Sequence, residues 1–547
     1  MNAYSVHTKL GTPLPTPVEM NAWDAASITD FHIPEAVLME NASREAFHAI
    51  MPMLEPERRI LVFMGGGNNG GDGAALARHL LDAGHHVLVC HAKPLEKLLP
   101  TAREHAHIAR KAGVPFTPLS LADNMLVTPP EYRNVARLPH VIVDALLGTG
   151  FTGNVRSQLL AAIRYINNLA DTMPSVSVIS LDVPSGMDAL TGLPRPEAVR
   201  ADHTVTFEAA KTGLAFPHAR QFTGKVHVRR IGIPTAVRKL VPASFYSLTP
   251  KAAAWPEKNP GMHKGDAGRV LVLGGSHGLT GAPILSALGA LRSGAGLVTI
   301  ACPGLLEPQM RQGYPEIMTR PLGTVVNWNN GLLPDCIKAV TELPHAAAVV
   351  LGPGLGRGHD GKNIVAAIIE EKNRPPLVLD ADGLYPLTSR GDVENAGFSP
   401  LLAKLREDDC ITPHPGEAAR ILGTTTEDVE AARVQAMKTL TGTTRATVVL
   451  KGAGTLIGRG SGPIFVAPFV TPSLAVGGSG DVLSGIIAAY LARIRSTMPL
   501  SCLDALRAVC LGVYVHGKAG EMLDAAFPAR GALAREIADA VPRVARE

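Results

Sequence analysis

An α/β fold in two successive domains is what this sequence predicts, on three observations. Its 547 residues exceed what one hydrophobic core usually organises, and an apolar content of 46% can supply a core to each of two domains. Strand-like apolar runs alternate with helix-like patterns in both halves, the arrangement that builds a mainly parallel sheet with helices on its faces. Many of these runs end in glycine or aspartate, so small and acidic residues gather at strand ends, where open α/β sheets bind ligands.

In the first half, residues 59–64, 86–90, 140–144, 176–182 and 204–207 read as strands. Asn68, Asn69, Gly70, Gly71, Asp72 and Gly73 follow the first and precede a helical stretch over 74–83, a position that suits a phosphate or a ribose. Gly65, Gly66 and Gly67 extend that loop, but the spacing is not the dinucleotide fingerprint G-x-G-x-x-G, which disfavours a hydride-transfer site. Asp144 ends a later strand and is followed by Gly148, Thr149, Gly150, Phe151, Thr152, Gly153 and Asn154; Asp182 ends the next, with Pro184, Ser185, Gly186, Met187 and Asp188 behind it. The three loops are expected to converge on one sheet edge. Oxygens of Asn69, Asp144 and the Ser185 region suit a monovalent or divalent cation, while the alternative is that strand-end aspartates only cap turns. His203 reads as structural, and Lys211, in Lys-Thr-Gly, reads as a solvated loop charge.

Ile-Gly-Ile-Pro at 231–234 closes this pattern, and 241–261 is rich in Pro, Ser and Ala, which places a boundary near residue 240 and domains at 1–240 and 241–547. No unit of fixed length recurs, so the halves are a fusion rather than a repeat. In the second half 269–273, 349–351, 377–380 and 447–450 read as strands. Gly274, Gly275 and Ser276 follow the first, and Gly281 and Ala282 open a helical run through Leu291. Gly352, Pro353, Gly354, Leu355 and Gly356 follow the second strand, and Asp380 and Asp382 end the third. Thr412 to Glu417, with His414 inside it, reads as a rigid loop before a helix, and Lys451 and Gly452 terminate the fourth strand. Gly477, Gly478, Ser479, Gly480 and Asp481 read as a bare backbone loop running into a helix over 482–490. Such a loop is an anion site, with main-chain N–H groups for a phosphate and a carboxylate placed to deprotonate a hydroxyl.

The first-half motifs Asn-Asn-Gly-Gly-Asp, Leu-Leu-Gly-Thr-Gly, Leu-Asp-Val-Pro-Ser-Gly-Met-Asp and Ile-Gly-Ile-Pro resemble the NAD(P)H-hydrate epimerase family, the N-terminal domain of YjeF-type proteins, over residues 15–234. The resemblance implies a three-layer Rossmann-like domain. It also implies a substrate site from Asn68, Asn69, Gly70, Gly71, Asp72, Gly148, Thr149, Gly150, Phe151, Thr152, Gly153, Asn154 and Asp182, potassium held by Asn69, Asp144 and Ser185, and Asp182 as acid–base group. In the second half, Lys-Gly at a strand end followed by Gly-Gly-Ser-Gly-Asp resembles the ribokinase-like α/β fold. Within that fold, His-Lys-Gly-Asp, Gly-Pro-Gly-Leu-Gly, Leu-Asp-Ala-Asp-Gly-Leu and Thr-Pro-His-Pro-Gly-Glu resemble the ADP-dependent NAD(P)H-hydrate dehydratase family over about 255–525. This implies that Ala282, Gly354, His414 and Asp481 contact the hydrated nicotinamide. The nucleotide would lie on Lys451, Gly452, Ala453, Gly454 and Thr455 and on the loop Gly477, Gly478, Ser479 and Gly480. Two departures from the family pattern stand out: Ser479 replaces a frequent threonine, and Thr471 to Val476 replaces an Asn-x-Gly-Met-Ala-x run.

Together the resemblances imply a bifunctional enzyme acting on NADHX and NADPHX. Its first half would interconvert the R and S hydrates. Its second would phosphorylate the ring hydroxyl from ADP or ATP, with Mg²⁺ and with Asp481 as base, and then eliminate phosphate. The enzymatic alternative is a ribokinase-like vitamin-precursor kinase carrying an N-terminal binding module. Composition excludes other classes: 52 Lys and Arg against 48 Asp and Glu, with no basic block, leave no nucleic-acid footprint and no polybasic membrane arm. Six cysteines without C-x-x-C spacing argue for reduced thiols, and no run of about eighteen apolar residues suggests a membrane span. A cytoplasmic homo-oligomer is expected.

Overall fold

The computed structural model describes residues 9–122, 125–250, 261, 263–345, 347–388, 398–497 and 502–545 of the chain. Residues 251–260 of the Pro, Ser and Ala-rich stretch, the first eight residues and the Cys502 side chain lie outside the described part. The other five cysteines are buried and unpaired. The chain forms two compact units, Pro13–Phe245 and Met1–Thr12 with Tyr246–Glu547.

The first unit is built on a seven-stranded sheet in the order Lys225–Arg229, His203–Phe207, Ser177–Leu181, Val141–Ala145, Arg59–Met64, His86–His91, Phe116–Pro118, with every neighbouring pair parallel. Both faces are covered, which is why Ile60 to Met64 is a continuous apolar run with no exposed member. Leu61, Phe63, Leu88 and Ile142 face a core that includes Ile163 and Ile166, and the helix Asn68–Asp82 packs on Arg59–Met64, His86–His91 and Val141–Ala145. From Arg59–Met64 the chain first adds strands on one side and then, from Val141–Ala145 onward, on the other. The switch point therefore lies between these two strands, beneath the loops that follow them.

The second unit repeats that logic. Its sheet runs Gly11–Pro13, Phe245–Leu248, Ile464–Val466, Leu456–Gly458, Thr447–Leu450, Cys410–Ile411, Leu377–Leu379, Ala347–Leu351, Arg269–Leu273, Leu297–Pro303, Met318–Leu322. The strands from Thr447–Leu450 to Met318–Leu322 are parallel, and Leu456–Gly458 and Ile464–Val466 continue antiparallel. The order reverses between Arg269–Leu273 and Ala347–Leu351, and the helix Ser479–Thr497 crosses over both.

Three sequence expectations are corrected. Residues 68–73 are not a loop ahead of a helix but its first turns, and the helix of the second glycine loop begins at Ser479 rather than 482, so Ser479, Gly480 and Asp481 are helical. Within the stretch after residue 240, Phe245–Leu248 is a strand of the second sheet. Lys211 is not a solvated loop charge: it is 1% exposed.

Candidate functional site

The switch point of the first unit carries a cavity, and that of the second gathers its candidate residues at the sheet edge. In the first unit a cavity of about 810 Å³ is lined by Asn68, Asn69, Asp72, Gly148 to Phe151, Thr152, Asn154, Asp182 and Lys211. Gly70 and Gly71 lie behind it instead; a side chain at Gly71 would meet Met39 and Ala102. Gly153 does not line it either, and turns the loop at φ 80°.

At the centre of this crevice Asp182 leaves the strand Ser177–Leu181 in the left-handed region, at φ 65°, a strained conformation that an Asp tolerates better than most residues. One carboxylate oxygen lies 2.5 Å from Lys211 Nζ, and the other accepts from the Thr149 amide (2.7 Å) and hydroxyl (2.6 Å). Gly148 is required here, because a Cβ would sit 2.8 Å from that second oxygen. Burial opposes ionisation of Asp182, but Lys211 and Thr149 outweigh it and hold the carboxyl below its ordinary range. Lys211 also donates to Thr206 Oγ1 and to the Phe207 carbonyl, both at 3.0 Å, so all three of its N–H groups are used. Asp72, deeper in the same cavity, is pushed well up by burial and by the charge of Asp182.

Asn69 and Ser185 meet at the backbone of Leu147, and Asp144 joins them through Ser185. Asn69 Nδ2 donates to Leu147 O (2.8 Å) and Leu181 O (3.2 Å), and the Leu147 amide donates to Ser185 Oγ (2.8 Å). Asp144 is fully buried and accepts from the Ser185 hydroxyl (2.5 Å) and amide (2.8 Å) and from Ser180 Oγ (2.8 Å). Asn69 Oδ1, on the same side chain, is buried and has no hydrogen-bond partner among the described residues. A lone buried amide oxygen beside a buried carboxylate fits a hard, weakly charged cation.

In the second unit the helix Ser479–Thr497 aims its start at the sheet edge. Among the described residues the amides of Gly477, Gly478, Gly480 and Asp481 find no protein acceptor. Beneath Gly480, Lys451 Nζ lies 2.6 Å from Asp380 Oδ1 and 3.8 Å from Glu417 Oε2, and a Cβ on Gly480 would come within 3.1 Å of that ammonium. Burial, and after it the charge of Asp380, push the Asp481 carboxyl up to about 8; Lys451 pulls the other way but is already engaged. Burial likewise pushes Glu417 up to about 7 against the pull of Lys451.

The remaining second-half candidates fall around this point. Gly354, at φ 62°, is placed so that a Cβ would be 3.4 Å from Ala282 Cβ. His414 caps the helix Pro415–Leu422, its Nδ1 accepting from the Gly416 amide at 3.1 Å. The turn Gly452 to Thr455 is anchored by Arg433, which donates to the carbonyls of Leu450 and Lys451, and by Thr455 Oγ1, which donates to Gly452 O. The departing segment 471–476 forms a short 3₁₀ turn held by Asp524, which accepts from the Ser473 amide at 2.8 Å.

Sequence reasoning passed over His516, on the helix Cys502–Ala526, whose Nε2 lies 3.1 Å from Ser479 O and 3.2 Å from Ser479 Oγ; no motif marks it. It also passed over Asp24. The signal for that one was present: Met20, Asp24 and Ile28 recur every fourth residue in the helix Pro17–Thr29 and line the first cavity together.

Comparison with known proteins gives two family matches, one described as NAD(P)H-hydrate dehydratase over residues 270–543 and one as YjeF-related protein N-terminus over 35–213. The chain is 35% identical to the bifunctional NAD(P)H-hydrate repair enzyme Nnr of Moorella thermoacetica, covering 97% of this chain and 96% of that one. It is 33% identical to the enzyme of the same name from Escherichia coli, over 93% and 89% of the two chains. A crystal structure of the ADP/ATP-dependent NAD(P)H-hydrate dehydratase from Bacillus subtilis, co-crystallised with ATP and Mg²⁺, matches with 28% identity, 54% of this chain, 94% of that chain and a TM-score of 0.44.

Proposed function

The chain belongs to the bifunctional NAD(P)H-hydrate repair enzymes, an epimerase domain joined to a dehydratase domain, and from that premise we propose how its two crevices divide the work. Water adds to the enamine double bond of a reduced nicotinamide and leaves a hydroxyl, of either hand, on the ring carbon bonded to nitrogen. A dehydratase that accepts one hand strands the other, which is the reason for an epimerase in the same chain.

Hydroxide is too basic to leave readily, so the second crevice converts it to a phosphate ester. Asp481 takes the hydroxyl proton as the oxygen attacks the terminal phosphoryl of ADP or ATP. The amides of Gly477, Gly478, Gly480 and Asp481 receive the developing phosphoryl charge without reorganising. Ala282, Gly354 and His414 position the nicotinamide, and Lys451 to Thr455 hold the nucleotide. The ring nitrogen then expels phosphate, and loss of a proton from the neighbouring carbon restores the enamine. For Mg²⁺, no group of three or more His, Cys, Asp or Glu among the described residues forms a cage, while Glu417 and Asp481 offer carboxylates beside the phosphate cradle. That fits an ion carried mainly by nucleotide phosphates, whose charge it would neutralise when bound.

In the first crevice Asp182 acts as acid–base group with Lys211 keeping it ionised. Asn69 Oδ1, Asp144 and Ser185 suit potassium, which when bound would fix the loops after residues 144 and 182 at the sheet edge.

One observation carries the phosphoryl reading: a carboxyl in the first turn of a helix, beside four amides that find no acceptor among the described residues and over the half-buried Lys451 paired with the buried Asp380. The test is to incubate the protein with mixed R and S hydrates and either ADP or ATP, and to follow both epimers by chromatography. Release of inorganic phosphate with recovery of reduced-nicotinamide absorbance supports dehydration; an accumulating phosphorylated alcohol supports a kinase instead.

A further inference from the structure

Exchanging the hydroxyl between the two faces of a ring carbon takes two proton-handling groups. The hydroxyl must be protonated to leave as water on one face, and a second water must lose a proton as it adds to the other. Asp182 supplies one such group, and because Lys211 and Thr149 hold it ionised it is placed to take a proton rather than to give one. The cavity contains three further carboxyls. Glu35 is occupied, accepting from Asn68 Nδ2 (2.9 Å) and Thr101 Oγ1 (2.5 Å). Asp72 also lines the cavity, but burial and the charge of Asp182 push its carboxyl well up and keep it neutral, which suits a hydrogen-bond donor rather than a group that cycles its proton. Asp24 remains. It comes from the helix Pro17–Thr29, a different wall from the strand end that carries Asp182, and it opens into the cavity with no hydrogen-bond partner among the described residues.

We propose that Asp24 is the second acid–base group of the epimerisation, working with Asp182 on a hydrate held in the first-unit cavity. Asp24 gives its proton to the hydroxyl, the carbon–oxygen bond breaks, and water leaves as the ring-nitrogen lone pair forms the iminium. A water then adds to the opposite face and passes its proton to Asp182. The reverse conversion retraces these steps from the minor form in which Asp182 carries the proton and Asp24 does not, and the carboxyls re-equilibrate with solvent through the open cavity. Burial pushes Asp24 up to about 6, with Lys211 opposing and Asp182 and Glu35 reinforcing, so its proton is exchangeable near neutral pH. This assignment rests on the epimerase reading of the first unit and adds a residue that lies ahead of the matched stretch 35–213.

The experiment starts from one enriched epimer without nucleotide and follows its conversion to the other by chromatography, with the enzyme-free rate subtracted. Asp24→Asn in the full chain is expected to lower epimerisation about 100-fold or more while ADP-dependent dehydration of the S epimer stays within about two-fold, and Asp24→Glu to restore part of the loss. Because the protonated form is needed, wild-type kcat/KM falls as pH rises through about 6, and the residual rate of Asp24→Asn lacks that limb. Wild-type-like epimerisation by Asp24→Asn with the limb retained overturns the proposal. If that variant does not fold, Asp24→Glu decides: a displaced limb supports the role and an unmoved one overturns it. Absence of epimerisation by the wild type removes the epimerase reading itself, and the proposal with it.

Discussion

Asp182 and Asp481 each feel the charge of a lysine, Lys211 buried and Lys451 half-buried, yet their surroundings drive them in opposite directions. Lys211 spends its charge on Asp182 and keeps it ionised, whereas Lys451 is paired with Asp380, so burial and then the charge of Asp380 keep Asp481 protonated up to about 8. A base must be ionised to act, so kcat/KM for dehydration should rise with pH through about 8. Asp481→Asn should abolish that limb and lower turnover about 100-fold or more while nucleotide affinity is nearly kept; unchanged turnover in a pH-rate series would remove Asp481 from the chemistry. For the first unit, Lys211→Met strands a buried carboxylate, which costs about 3–5 kcal/mol when one partner of a buried pair is removed. Adding Asp182→Asn should recover part of that loss, and a double-mutant thermal-melting cycle measures the coupling; strict additivity would mean the pair does not interact.

At the scale of single elements, what could be read from sequence was what local pattern decides. Arg59–Met64, Arg269–Leu273 and Thr447–Leu450 were found at both ends because a strand covered on both faces is one uninterrupted apolar run. The helix starts at Asn68 and Ser479 were read too late because Asn, Gly and Ser are poor helix formers, and only packing across the sheet makes those turns helical. Lys211 was misread for a related reason: a lysine is surface material until a carboxylate twenty-nine residues earlier in the chain, Asp182, is folded against it. His516 is the same kind of residue, and it couples two helices. It sits under the first turn of Ser479–Thr497, and burial pushes it down to about 4, so the folded form holds a neutral imidazole. The unfolded chain takes up a proton near 6.5, so the stability this site contributes is complete above that value and is lost as pH falls from 6.5 toward 4, on the order of 3 kcal/mol at the end of the range. His516→Gln keeps a donor for the Ser479 carbonyl without the titration. The melting temperature of its second unit should therefore fall less steeply on acidification than that of the wild type, and parallel slopes by calorimetry would show that His516 does not carry the effect.

For the whole molecule, the two crevices arise from one rule applied twice, a glycine-rich loop at the point where strand order reverses, and that much was legible in the alternation of apolar runs and strand-end glycines. The edge of the second sheet was not. Gly11–Pro13 and Phe245–Leu248 are separated by the entire first unit, and no local pattern announces that they end up side by side. The consequence is testable by cutting the chain. A piece beginning at Tyr246 keeps Asp481, Lys451 and the loops around them, and should dehydrate the S hydrate while leaving the R hydrate to accumulate. It also loses Gly11–Pro13, the outermost strand, so the hydrogen-bonding groups of residues 246–248 are left as an open edge, the feature that sheets ordinarily cover to avoid pairing with other chains. That piece should melt a few degrees lower, about 1 kcal/mol being worth roughly 2–4 °C in a unit this size, and should aggregate at lower concentration than one in which residues 1–12 are fused ahead of Tyr246 through a flexible linker. Equal melting temperature and solubility for the two pieces, measured by scanning calorimetry and light scattering, would mean that the first strand contributes nothing to the second unit, and that the order of the chain rather than the completeness of the sheet is what joins the halves.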